Sequence, residues 1–196
     1  SSQGAAYIFE KPVGGWIDMI ETAKLTASDG EASDYLGESV AISGDTIVVG
    51  AYGDDISDQI NQGSAYVFVK PPGGWVDMTE AGKLTASDGA AEDWFGGWVG
   101  VSGDTAVVGA PYDDTACSNC GAAYIFERNE GGPDNWGQSA KLVASDGAAN
   151  YVLALLRWTL HLHARPPRRL SQLVVGGLLL GGSRLDAPCD LLAIGT

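Results

Sequence analysis

Ser43-Gly-Asp-Thr-Ile-Val-Val-Gly-Ala51 returns as Ser102-Gly-Asp-Thr-Ala-Val-Val-Gly-Ala110, 59 residues later. Each stretch reads as the end of one strand, a two-residue Gly-Asp turn and a second strand. Gly44-Asp45 supplies the residue types that a tight hairpin needs where φ turns positive. Ile47-Val48-Val49 lacks the apolar-polar alternation of a half-wet strand. Such a run is expected of a strand covered on both faces by neighbouring sheets.

The surrounding sequence repeats with it. Gly4-Ala-Ala-Tyr-Ile-Phe9, Gly63-Ser-Ala-Tyr-Val-Phe68 and Gly121-Ala-Ala-Tyr-Ile-Phe126 follow one another at spacings of 59 and 58 residues. Lys24-Leu-Thr-Ala-Ser-Asp-Gly30, Lys83-Leu-Thr-Ala-Ser-Asp-Gly89 and Lys141-Leu-Val-Ala-Ser-Asp-Gly147 keep the same spacings. A fixed period of this size signals a repeat architecture. Within one period, strands are predicted near Glu38 to Ser43, Thr46 to Tyr52, Ser64 to Lys70 and Lys83 to Ala86, with the Pro71-Pro-Gly-Gly74 turn closing the third. Four short antiparallel strands per period describe a propeller blade. The expected fold is therefore all-β: a partial β-propeller of about two and a half four-stranded antiparallel blades, with copies at 4–62, 63–120 and 121–150. One residue is deleted after Gly109-Ala110 relative to Gly50-Ala51, which marks that acidic stretch as a loop. Trp16 and Trp75 match between copies, whereas Trp136 falls three places late. Packing between adjacent blades is the role expected of these tryptophans.

The pattern stops at Asn150. Residues 1–150 hold 6 Lys and Arg against 23 Asp and Glu, while residues 151–196 hold 5 Arg against 2 Asp. Leucine changes in step, from 4 in the first segment to 13 in the second. A continued repeat would place Gly-Asp at 161 and 162, where the chain has His161-Leu162. The 151–196 tail reads as an out-of-frame product or an unordered segment, helical at most around Tyr151 to His163. Its apolar stretch from Leu170 to Gly182 is too short to span a bilayer.

Composition excludes some classes of function. A net charge of −14 leaves no basic surface to neutralise phosphates, so no nucleic-acid partner is expected. Residues 1–150 contain no histidine, which removes triad-type catalysis from the repeats. The chain opens at Ser1 without a signal peptide, and its Gly-Ala-Ala-Tyr start reads as the middle of a repeat. It is expected to be a fragment whose missing blades belong to the same protein. Seven blades would need roughly 400 residues.

Phe95-Gly96 followed by Gly109-Ala110-Pro111 resembles the signature of the FG-GAP repeat, with Leu36-Gly37 and Gly50-Ala51 as a relaxed first copy. This resemblance, over residues 4–150, implies the integrin α-type β-propeller and a role in adhesion or extracellular ligand binding. Family members often hold calcium in an Asp-x-Asp-x-Asp-Gly hairpin loop. Here the equivalent turns, Ser43 to Thr46 and Ser102 to Thr105, carry one carboxylate each. That is too few for a calcium cage of about six to eight oxygens.

Other acidic loops remain. Asp54, Asp55 and Asp58 share one long loop, and Asp113 and Asp114 its counterpart. They read either as divalent-cation ligands at the blade rim or as Asx turns that solubilise the loop. Asp29, Glu31 and Asp34, matched by Asp88, Glu92 and Asp93, pose the same choice. Cys117 and Cys120 read as a loop-stapling disulfide or as free thiols; a strand rather than a helix follows them, and further zinc ligands are lacking.

The function these readings imply is a non-enzymatic scaffold for extracellular or cell-surface binding and adhesion, with a protein or glycan ligand. The alternatives are an accessory propeller within a larger secreted hydrolase, or a purely structural repeat.

Overall fold

The computed structural model describes residues 2–130, 132 and 134–145. The tail at 151–196, with its expected helix around Tyr151 to His163, lies outside the described residues. Eleven strands and no helix make up the described chain. They are β1 (Ala6–Ile8), β2 (Ala23–Thr26), β3 (Val40–Ser43), β4 (Thr46–Ala51), β5 (Ser64–Val69), β6 (Met78–Thr79), β7 (Gly82–Leu84), β8 (Trp98–Ser102), β9 (Thr105–Ala110), β10 (Ala122–Arg128) and β11 (Trp136–Leu142).

Two of the three sheets have four antiparallel strands, in the orders β3-β4-β5-β7 and β8-β9-β10-β11. Their first hairpins close as the sequence predicts. Ser43 pairs with Thr46 and Ser102 with Thr105, leaving Gly-Asp as the two-residue turn. Gly44 and Gly103 both take φ 58 while the following aspartates stay at negative φ, the II′ pattern with glycine first. The remaining sheet, β1-β2-β6, is smaller. Its third member is borrowed: β6 comes from the β5–β7 connection and lies parallel on β2, with Leu25 opposite Met78.

The structural unit is phased differently from the sequence copies 4–62, 63–120 and 121–150. A four-stranded sheet takes β3 and β4 from the first copy and β5 and β7 from the second. The half-unit therefore stands at the start of the described chain, not at its end. A tandem repeat has no intrinsic phase in sequence; strand pairing sets it.

The three sheets stack face to face in chain order without closing on one another. β4 shows why its run is apolar throughout. Ile47 and Val49 point to the first sheet, where they meet Ile8, Ala23, Leu25, Tyr66, Phe68 and Trp75. Val48 points the other way, into a second cluster with Val67, Leu84, Phe95, Val108, Tyr124 and Phe126. In β5, Tyr66 and Phe68 face backwards while Ala65 and Val67 face forwards. Each buried large side chain contributes about 1.5–3 kcal/mol. Most of the stability of the stack therefore lies between sheets, not within them.

The seams also carry polar stitches. Asp77 Oδ1 accepts the Lys24 amide at 2.8 Å, and the Glu80 carboxylate accepts the amide and hydroxyl of Ser28. Gln138 Oε1 accepts the Ser87 amide at 2.9 Å in the corresponding place one seam later. Trp75 is buried in the first of these cores, whereas Trp136 sits under the Arg128 guanidinium, 5.3 Å from its ring centre.

Candidate functional site

Antiparallel pairing brings the start of β3, the end of β4, the start of β5 and the end of β7 to one edge of the stack. The loops at this edge contain nearly all the acidic residues singled out in the sequence. They build two arrangements, one inside the seams and one on the surface.

The inner arrangement is a lock of two carboxylates, a lysine and a tyrosine, formed twice. Lys83 Nζ lies 2.7 Å from Asp29 Oδ2 and 2.7 Å from Asp54 Oδ2. It also stands 5.2 Å from the centre of the Tyr66 ring, a cation–π distance. The Tyr66 hydroxyl is 2.9 Å from both Asp29 Oδ1 and Asp54 Oδ2, and the Ser64 hydroxyl donates to Asp54 Oδ2 at 2.5 Å. One seam further on, Lys141 Nζ lies 2.7 Å from Asp88 Oδ2, Asp113 Oδ2 and Thr115 Oγ1. Tyr124 donates to Asp113 Oδ2 at 2.6 Å and also reaches Asp88 Oδ1, at 2.9 Å. Asp29 and Asp88 come from one repeat; the lysine and tyrosine come from the next. The lock therefore ties sheet to sheet.

The electrostatics follow from this geometry. Burial alone would raise Asp29, Asp88 and Asp113, but the lysine and tyrosine hydrogen bonds outweigh it and hold all three below the ordinary aspartate value. Burial alone would lower Lys83 and Lys141, and the paired carboxylates overcome it, so both are raised. Asp34 and Asp93 are raised by burial despite accepting backbone amides. Carboxylates depressed in the fold add stability above about pH 4 and lose it as pH falls through their folded values. The raised lysines add stability below about pH 10 and lose it as pH rises through theirs. Asp34 and Asp93 oppose the acid limb, since protonating them relieves a cost. The net expectation is a stability plateau around neutral pH and a decline below about pH 4. Urea midpoints measured against pH check it. Asp113→Asn should flatten the acid limb, and an unchanged limb would assign the acid sensitivity elsewhere.

The remaining sequence candidates are placed as follows. Asp55 and Asp114 are exposed and accept the amides of Asn61 and Asn119, at 2.8 and 2.5 Å, capping turns in which both asparagines are left-handed. Asp58 stands exposed in the same loop as Asp55. An ammonium group, not a cluster of further carboxylates, faces Asp54 and Asp113. Among the described residues no group of three or more His, Cys, Asp or Glu side chains converges to hold a metal ion. Cys117 and Cys120 are joined as a disulfide with a Cα–Cα distance of 5.4 Å, in the loop that also supplies Asp113 and Thr115.

The outer arrangement is a row of aromatic rings that sequence reading missed. Tyr35 stacks on Tyr52 with centroids 5.2 Å apart and planes 4° from parallel. Tyr52 meets Trp94 at 5.1 Å, and Trp94 meets Tyr112 edge-on at 4.6 Å. The row crosses from one repeat into the next. Tyr35 and Trp94 both sit at φ 56, a left-handed conformation that bulky residues rarely adopt. The chain around them explains how it is held. Asp34 and Asp93 accept the amides of Glu31 and Ala90, setting the turn. The next residue, Tyr35 or Trp94, turns outward. The one after it, Leu36 or Phe95, plunges into the core between sheets. Trp94 Nε1 donates to Glu92 Oε2 at 3.2 Å, and Asn61 Nδ2 to Glu92 Oε1 at 3.1 Å, which fixes the indole across the seam.

The glycines of the signature are explained at the same place. Gly37 and Gly96, at φ 104 and 92, donate their amides to the carbonyls of Gly50 and Gly109, each at 3.0 Å. A Cβ on Gly50 would overlap the Gly96 carbonyl, and one on Gly63 the Phe95 carbonyl. Ala51 and Ala110 are fully buried beneath these contacts, and Pro111 lies against Gly97. The signature Leu36-Gly37, Phe95-Gly96, Gly50-Ala51 and Gly109-Ala110-Pro111 is thus a device for bringing backbones of adjacent sheets together.

Stacked four-stranded antiparallel sheets joined by such contacts define a tandem all-β repeat protein. The FG-GAP repeat family matches at residues 19–68 and 78–126, and the chain belongs to that family. No curated protein matches the chain. No helix among the described residues is long and apolar enough to cross a membrane.

Proposed function

We propose that this chain is a non-enzymatic binding scaffold of propeller type, serving adhesion or ligand capture outside the cell or at its surface. The observation that carries this reading is the aromatic row Tyr35–Tyr52–Trp94–Tyr112 along the loop edge. Backbone strain of this kind, of order 1–3 kcal/mol per residue, persists where the surrounding structure over-determines it and clusters at functional sites. The row offers ring edges, tyrosine hydroxyls and flanking carboxylates from Glu38 and Glu92, a surface suited to a protein or glycan ligand. Loops that converge from several repeats onto a rigid stack are the usual place for such contacts.

An array of matrix proteins and glycans tests the proposal. The chain should retain a ligand, and Trp94→Ala should weaken capture at least about tenfold. Capture that is indifferent to Trp94→Ala would move the ligand away from this edge. An array with no captured ligand would remove the adhesion reading.

A further inference from the structure

The loops that leave β4 and β9 at the acidic edge share one frame but are fastened differently. Counting back from Gly63 and Gly121, Gln59 and Gln62 of the first loop stand where Cys117 and Cys120 stand in the second. Both loops turn on the same backbone bonds. The Gln62 and Cys120 amides donate to the carbonyls of Gln59 and Cys117, at 3.4 and 3.2 Å. The Gly63 and Gly121 amides donate to the carbonyls of Asp54 and Asp113, at 2.9 and 3.0 Å. In the first loop Gln59 Oε1 also accepts the Ala91 amide of the following repeat at 2.9 Å, and Ile56 and Gln59 exchange two backbone bonds. Hydrogen bonds fasten that loop. In the second loop the same two positions are joined covalently.

The two sulfurs differ in access, and the shared frame imposes the difference. Cys120 is buried, as Gln62 is. Cys117 is half-buried, and Gln59 at its position is exposed even with the following repeat packed on its loop. A thiolate from solvent therefore meets Cys117 Sγ first. The loop it would loosen begins at Tyr112, the last ring of the aromatic row, whose amide donates to the Asp93 carbonyl at 3.3 Å. Asp113 and Thr115 follow and hold Lys141 Nζ, with the Thr115 amide on Asp113 Oδ1 at 2.9 Å. The Asn119 amide, between the two cysteines, donates to Asp114 Oδ1. Slack at the disulfide passes along these bonds to the lock and to the last ring.

We propose that the Cys117–Cys120 disulfide is a redox latch on this edge, opened by an external dithiol while the sheet stack stays folded. One thiolate of the dithiol attacks Cys117 Sγ, and the electron pair of the broken bond leaves on Cys120 Sγ, which takes up a proton. The second thiolate then attacks the mixed disulfide, releasing Cys117 as a thiol and leaving the dithiol oxidised. The cysteines are only 3 residues apart in sequence, so cutting their bond frees little chain and the effect is local. The consequence for binding rests on the reading of this edge as the ligand site; the opening of the latch does not.

Hydrogen exchange read by mass spectrometry tests this on the full chain, with and without dithiothreitol. Every sample carries Cys189→Ser, so that only this pair of cysteines is redox-active. Dithiothreitol should reduce the pair without urea, counted as two alkylated cysteines. Exchange over 112–121 should then rise at least about tenfold while β4 and β5 keep their protection. Cys117→Ser combined with Cys120→Ser should show the raised exchange from the outset and no response to dithiothreitol. A pair that is reduced only after urea unfolds the chain, or a reduced loop that exchanges as before, would overturn the proposal. So would a double variant that fails to fold, or protection lost across β4 and β5, since the disulfide would then staple the whole fold. No ligand enters the measurement, so its failure and an empty array are separate results.

Discussion

Lys83→Met should lower the unfolding free energy by about 3 kcal/mol at neutral pH, the low end of the range for breaking a buried ion pair from one side. The reason is what the substitution leaves behind. Asp54 keeps the Ser64 and Tyr66 hydroxyls but loses its counter-charge, and its side chain is only 9% exposed. The molecule contains its own control. Lys24 occupies the same position in the first copy, exposed, and among the described residues its side chain meets only the Tyr7 ring, at 5.9 Å. Lys24→Met should cost no more than about 0.5 kcal/mol. The double variant Lys83→Met with Asp54→Asn should recover about 1–3 kcal/mol of the single loss, since an amide oxygen still accepts from both hydroxyls and carries no charge. Urea unfolding of the four proteins measures all three values. Equal losses at Lys83 and Lys24 would show that the lock contributes nothing to stability.

The lock also marks what could be read from the sequence. All its members were visible as repeat constants: Asp29 and Asp88 before a glycine, Asp54 and Asp113 in the acidic loop, Tyr66 and Tyr124 inside the Ala-Tyr motif, Lys83 and Lys141 opening the Lys-Leu segment. Their partnership was not visible, because Lys83 and Asp29 lie 54 residues apart and meet only when sheets stack. An acidic loop reads the same in one dimension whether its cation is a metal ion or a lysine from the next repeat. The strands and hairpin turns, by contrast, were legible. Periodicity and Gly-Asp turns are local, and a run such as Ile47-Val48-Val49 reports two covered faces directly. The aromatic row escaped for a different reason. Tyr35 and Trp94 differ in identity between copies, and Tyr52 and Tyr112 fall at non-equivalent positions beside the signature. Matching residue by residue passes over them. A search for an aromatic between a turn-forming Asp and a core residue followed by Gly would have found Tyr35 and Trp94.

Gly96→Ala should be among the most damaging small substitutions in the repeats, costing upwards of about 3 kcal/mol through overpacking added to backbone strain. Gly96 sits at φ 92, where an L side chain is strained whatever space surrounds it. There is no space: its Cβ would overlap the Ser64 carbonyl at the start of β5 and lie 3.1 Å from the Ala51 amide. Both obstacles are backbone of the preceding sheet, so no rotamer change relieves them, and relief requires the two sheets to move apart. That movement would pull Phe95 out of its pocket among Val67, Tyr124 and Phe126, which couples a one-carbon change to the loss of a core contact. The signature dipeptide therefore works as one unit. Phenylalanine fills the seam because glycine lets the backbone come close enough to fill it. Gly73→Ala supplies the contrast, since a Cβ there meets nothing within 4 Å, and it should change stability by less than about 0.5 kcal/mol. Thermal or urea unfolding distinguishes the two. If Gly96→Ala unfolds alongside Gly73→Ala, close backbone approach is not what the repeat signature encodes.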